Sequence, residues 1–102
     1  MSRPETALDV IAIGRSSVDL YGQQIGGRFE DVASFSKAVG GCPANIAIGA
    51  ARLGVRSALI TRVGDEAMGR FIIEQLKREG VETRGVKTDA QRLTALVLLG
   101  VR

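Results

Sequence analysis

Between Gly40 and Gly64 the chain reads GGCPANIAIGAARLGVRSALITRVG, and no other run limits the possible fold so strongly. A Gly-Gly pair permits positive φ and lets a ligand approach the main chain closely. Pro43 suits a first helical turn, where its missing N–H is not needed. The spacing predicts a helix from Pro43 to Leu53 with Ile46, Ala50 and Leu53 on one face, stopped by Gly54 at C′. Ala47, Gly49 and Ala51 keep that helix slim, and Gly49, at a cost of about 1 kcal/mol relative to Ala, implies a close contact. An apolar strand is expected over Ser57–Val63, ending at a second elbow, Gly64-Asp65. The first-turn amides of the helix point outward with the positive end of its dipole behind them. Asn45 lies in the same turn and offers both a carbonyl and an amine. A neutral donor–acceptor beside a glycine elbow suits a polyhydroxylated or weakly anionic ligand.

Composition closes several other routes. A chain of 102 residues makes one small domain, burying roughly 60–65% of its unfolded surface. The net charge of +3 is spread along the chain with no dense Lys/Arg run, so no nucleic-acid partner is expected. A single cysteine, Cys42, excludes an internal disulfide and a cysteine-rich metal site, and the absence of histidine excludes His-based catalysis. Residues 1–6 are polar and expected to fray. The apolar segment Ala7–Ile13 is far too short to span a membrane and lacks secretory-signal features. No membrane partner is expected, and the default location is the cytoplasm.

The remaining elements read as α/β. Leu8–Gly14 is a β-branched run ending in glycine, the form of a buried parallel strand. It is followed by Gly14-Arg15-Ser16-Ser17-Val18-Asp19 rather than G-x-G-x-x-G, which counts against NAD or FAD. Asp19 sits shortly beyond that strand end, where open α/β sheets hold their ligands; a turn-forming Asx residue is the alternative. Two β-prone pieces, around Leu20–Ile25 and Ser34–Val39, flank Gly26-Gly27-Arg28 and suggest a loose surface hairpin. Asp65 is expected to cap a helix from Glu66 to about Glu79 with Met68, Phe71, Ile72 and Leu76 inward and Gly80 as its stop. Val81–Lys87 is a candidate third strand, and Thr94–Val101 an apolar strand left as an unpaired edge.

The pattern Gly40-Gly41-x-Pro43-x-Asn45-x-Ala47, with Gly54, Gly64 and Gly64-Asp65-x-x-x-Gly69, resembles the first signature of the ribokinase-like (PfkB) carbohydrate kinases. That resemblance implies the N-terminal portion of a ribokinase-like doubly wound sheet with a small β lid. Core elements would span about 8–15 and 43–87, and lid strands about 19–39 and 94–102. It makes Asp19, Gly40, Gly41 and Asn45 substrate-binding residues, with Asp19 accepting hydrogen bonds from sugar hydroxyls. It also implies ATP and Mg2+ for the complete kinase. Residues 1–102 contain neither the family's second signature, with its catalytic Asp and glycine-rich anion hole, nor a Walker-type G-x-x-x-x-G-K-[ST]. No catalytic, cofactor-binding or metal residue is therefore assigned, and the chain reads as a fragment inactive by itself.

Within the family, the runs Gly14–Gln24, Ile60–Asp65 and Arg92–Leu96 are most similar to the kinases of 5-dehydro-2-deoxygluconate in inositol catabolism. A keto sugar acid needs a cation for its carboxylate. Arg15 is the first candidate, because arginine binds carboxylates bidentately, and Arg62 the second. Each has an alternative as a surface or fold-bracing arginine. Tyr21 is read as lid packing and Cys42 as a small packing residue. Two other readings stay open. One is a kinase of a neutral sugar or nucleoside, of ribokinase, fructokinase or adenosine kinase type; the other is a non-catalytic module that binds sugar or forms a homodimer through lid strands.

Overall fold

A computed structural model describes residues 7–101. The expected frayed start, residues 1–6, and the last residue of the expected lid, Arg102, lie outside the described residues. In chain order the elements are β1 (Val10–Ile13), β2 (Ser17–Gly22), a 3-10 turn at Phe29–Asp31, β3 (Phe35–Gly40) and α1 (Cys42–Arg52). They continue with β4 (Ser57–Gly64), α2 (Ala67–Arg78), β5 (Val86–Asp89) and β6 (Ala95–Leu99).

The strands form two separate sheets. One has the order β1-β4-β5 and is parallel, with Ala12 opposite Leu59 and Val63 opposite Thr88. Along β4, Leu59, Thr61 and Val63 are buried while Ile60 and Arg62 are exposed. This alternation selects one face for the core. That inner face, with Ala12, meets Ala44 and Ala47 of α1 and Ile72 and Leu76 of α2 in a single apolar cluster. Both helices thus cover one side of the sheet, and Ile11, Ile13 and Ile60 lie open on the other.

The second sheet has the order β3-β2-β6. Its β2–β3 pairing is antiparallel, with Ser17 opposite Gly40 and Asp19 opposite Ala38; β2–β6 is parallel, with Asp19 opposite Val97. The hairpin is less loose than expected. β2 starts at Ser17 rather than Leu20, and Val18 is buried in the common core. The terminal strand is likewise not unpaired: β6 bonds to β2 along one side and keeps its other edge open.

Other expectations need correction. The face of α1 carrying Ile46 and Leu53 is not inward, since these residues are 52% and 84% exposed, while Ala44 and Ala47 are buried. Small residues win the sheet-facing side because they bring the helix backbone close to β4, where the Ser57 hydroxyl donates to the Ala47 carbonyl at 2.7 Å. Gly49 makes no close contact: a Cβ there would meet nothing within 4 Å. Cys42 is exposed rather than packed. Gly54 does end α1 in the left-handed region, with φ +84°. In α2 the N-cap is Glu66, not Asp65; Glu66 accepts from the Gly69 N–H, while Asp65 is exposed. The Val81–Lys87 expectation splits, because Val86 N–H bonds back to the Thr83 carbonyl in a turn. Before that turn Glu82 makes an isolated bridge with Ala58, and β5 begins only after it.

Candidate functional site

The site grows from the junction of β1, β2 and β3 with the start of α1. Gly41 is the N-cap of α1 and has φ +99°, and a Cβ there would sit 2.5 Å from the Arg15 carbonyl oxygen. Only glycine fits both conditions. The loop after β1 therefore lies directly on the elbow before α1. No side chain caps α1, so the first-turn amides, which lack intrahelical acceptors, face outward.

Gly40 serves Asp19. A Cβ at Gly40 would overlap the Asp19 carboxylate, so the missing side chain makes room for the acid across the β2–β3 pair. Asp19 is held from a second side as well: the Ser17 hydroxyl donates to its Oδ1 at 2.6 Å. Ser17 and Asp19 alternate onto the same face of β2, and Asp19 is half-buried. The structure thus brings Asp19, Gly40, Gly41 and the Arg15 backbone together. The Asx-turn alternative fails, because Asp19 lies within a regular strand. Asn45 is one turn into α1 and exposed; it lines a groove with Lys37, Val39 and Gln75 and does not join Asp19 in one cavity.

Beside this cradle, at the carboxyl ends of β1, β4 and β5, is a cavity of about 320 Å³ lined by Gly14, Arg15, Ser16, Thr61, Arg62, Asp89, Arg92 and Leu93, among others. That volume is at the lower end of the range for small-ligand sites. Its floor is fixed by a buried hydroxyl pair, Ser16 Oγ and Thr61 Oγ1 at 3.0 Å. The Asp89 carboxylate accepts from the Gln91 and Arg92 amides, at 2.8 and 3.2 Å. These bonds hold it below the usual aspartate range, the Gln91 bond most strongly.

A further joint ties the two sheets together, and nothing in the sequence reading pointed to it. Glu66 Oε2 accepts from the Thr94 N–H at 2.8 Å, and Oε1 accepts from Gly69 N–H and the Thr94 hydroxyl at 2.8 and 2.9 Å. The Thr94 hydroxyl in turn accepts from Gly64 N–H at 2.9 Å. The two Thr94 and Gly69 amide bonds, led by Thr94, depress the Glu66 pKa. Glu66 opens the helix expected from the sequence, but its partner 28 residues away leaves no local signal.

The comparisons with known proteins fit this geometry. Residues 7–102 match the model of the pfkB family of carbohydrate kinases. The chain is 51% identical over 82 residues to a 5-dehydro-2-deoxygluconokinase of Geobacillus thermodenitrificans, covering 80% of this chain and 24% of that protein. An uncharacterized sugar kinase from Pyrococcus horikoshii, solved in complex with ATP, superposes with a TM-score of 0.87 at 40% identity, over 91% of this chain and 30% of the other. The fructokinase of Halothermothrix orenii superposes with a TM-score of 0.83 at 34% identity, over 91% and 34%. The chain therefore spans about a quarter to a third of the length of these relatives. Among the described residues no helix is long and apolar enough to cross a membrane. With its family signature, its two-sheet fold and its neighbours in agreement, the chain belongs to the pfkB family of carbohydrate kinases.

Proposed function

We propose that this chain is the sugar-binding part of an ATP-dependent carbohydrate kinase whose substrate is 5-dehydro-2-deoxygluconate. The observation that carries the reading is the Asp19 carboxylate seated over the bare Gly40 backbone and oriented by Ser17. A carboxylate so placed accepts hydrogen bonds from two neighbouring hydroxyls, as a polyol requires. Gly40 and Gly41 let the sugar reach the main chain, and Arg15 supplies the cation for the acid group; Asn45, in the neighbouring groove, is not part of this contact. The parallel sheet with α1 and α2 forms the core, and β2, β3 and β6 form the lid. ATP and Mg2+ belong to the complete reaction. Among the described residues no group of His, Cys, Asp or Glu is placed to hold a metal ion, and no phosphoryl-transfer step is assigned to them.

The choice of a keto acid is supported by the names of relatives such as the 51%-identical Geobacillus protein. A neutral ketose is the second reading, favoured by the likeness to the Halothermothrix fructokinase. The open edges of β3 and β6 also offer a route to a homodimer by strand addition. Isothermal titration with 5-dehydro-2-deoxygluconate and with fructose decides between the sugars. The acid should bind, and Asp19→Ala should weaken it by about 10- to 100-fold, the loss of a charged hydrogen-bond acceptor. Binding of fructose in preference to the acid, or indifference to Asp19→Ala, would overturn the assignment.

A further inference from the structure

Three arginines, Arg15, Arg62 and Arg92, are among the residues that line the cavity at the strand ends, with Asp89 the one acidic residue among them. They come from three separate segments: the loop after β1, the end of β4, and the approach to β6. Arg62 and Arg92 both reach the same Asp89 Oδ2, at 3.8 and 3.5 Å, so one negative charge is shared by two cations. Arg15 has no ion pair among the described residues, which leaves the cavity with two positive charges in excess. Asp89 is held firmly, its side chain only 10% exposed and its Oδ1 accepting two backbone amides. The arginines are exposed and long-armed, at 68% and 80% for Arg62 and Arg92. Exposed ion pairs of this kind are weak and exchange readily.

We propose that this cavity is an anion subsite in which Arg92 and Arg62 join Arg15 in binding the carboxylate end of the substrate, while Asp89 is the internal counter-ion that the substrate's carboxylate displaces. The placement follows from continuity with the sugar cradle. Arg15 lines the cavity and packs its carbonyl on Gly41, and Ser16, also in the lining, precedes the Ser17 that orients Asp19. A sugar acid would therefore meet hydroxyl acceptors at Asp19 and guanidinium donors at the strand ends. Fork-shaped guanidinium donors match a carboxylate bidentately, which an ammonium cannot do. The inference deepens the keto-acid reading and rests on it.

The test is titration of the chain and its variants with 5-dehydro-2-deoxygluconate, D-gluconate and D-fructose. Arg92→Met should weaken both acids by about 10- to 100-fold and leave fructose unchanged, while Arg92→Lys should recover only part of the loss. Asp89→Asn, which keeps an oxygen acceptor for the two amides, should tighten the acids and leave fructose unchanged. In the wild-type chain the side-chain Nε–H resonances of the three arginines should shift with gluconate and not with fructose. Thermal melts of each variant show that the fold is intact. Acid binding unaltered in Arg92→Met overturns the subsite and leaves the keto-acid reading standing. Equal losses for acids and fructose also overturn it, because they mark a structural role, and weaker acid binding in Asp89→Asn removes the counter-ion. A chain that binds fructose and neither acid overturns the subsite and the keto-acid reading together.

Discussion

The two sheets of this chain are built on opposite terms. In the parallel sheet, β4 carries Leu59 and Val63 fully into an apolar cluster shared by both helices. In the second sheet, β6 carries Leu96, Val97 and Leu98, all of them partly open to water. The first sheet is stabilised by burial; the second reaches the same core through Val18, with Leu20 and Val39 packed against it, and its β6 side depends on polar joints such as the Glu66–Thr94–Gly64 network. An element held by a few polar joints opens at a lower free energy than one held by a core.

Substitution of matched leucines is the bluntest way to break this contrast. Leu59→Ala should cost about 2–5 kcal/mol, the range for emptying a packed core site. Leu96→Ala should stay within about 0.5 kcal/mol, as for a surface position. Urea denaturation followed by circular dichroism measures both, and equal losses would show that the two sheets share one mode of stabilisation. Gly69→Ala comes next. Its Cβ would strike the Gly64 carbonyl and press on the Thr94 hydroxyl, so the joint must move. A cost of about 1–3 kcal/mol is expected, as for overpacking. Thr94→Val follows, removing the acceptor of a buried Gly64 N–H and the donor to Glu66. An orphaned buried donor costs about 1–3 kcal/mol. Amide hydrogen exchange should show that loss concentrated at Gly64 and in β6 and not in β1.

The same contrast explains what could be read from the sequence. The parallel sheet and both helices were legible because their residues are chosen for burial, and burial leaves a period: Leu59, Thr61 and Val63 at spacing two, Ile72 and Leu76 at spacing four. The α1 face failed for the same physical reason. Ile46 and Leu53 have the right spacing and large side chains, yet alanines occupy the sheet-facing side, because close backbone approach outweighs side-chain bulk there. The glycine elbow was legible through its Pro43 and its family pattern. Its reason was not: Gly40 is bare for the sake of Asp19, a contact between strands that no local spacing records. The Thr94 joint and the Arg62–Asp89 contact were hidden likewise, being made across long sequence separations by residues that look like ordinary surface polar groups, although Arg92 joins Asp89 from the same turn.

Acid sharpens the comparison further. Glu66, held by the Thr94 and Gly69 amides, has a folded pKa below the ordinary glutamate value of about 4.3. A carboxylate depressed by folding contributes its stability above the unfolded pKa and loses it as the pH falls through the folded one. Unfolding midpoints should therefore decline as the pH is lowered from about 4.3. Glu79, depressed by its paired Arg52, declines with it. Glu66→Gln should lower the midpoint at neutral pH and flatten the acid limb, with the change reported by β6 resonances next to Thr94. An acid limb identical in wild type and Glu66→Gln would remove the carboxylate from the joint.

Gly49→Ala carries the smallest expected effect and the opposite sign. A glycine inside a helix was expected to mark a close contact, yet a Cβ there meets nothing within 4 Å, and the backbone is ordinary helix. Alanine should then fit without strain and stabilise the chain by about 0.4–1 kcal/mol, by reducing the freedom of the unfolded state. The result tests more than a propensity. Gly49 shares the groove of Asn45 and Lys37, which runs between β3 and the two helices. If β3 keeps the position described here, the added methyl lies in open space. A destabilising Gly49→Ala would mean that this groove closes in solution, with β3 lying closer to α1.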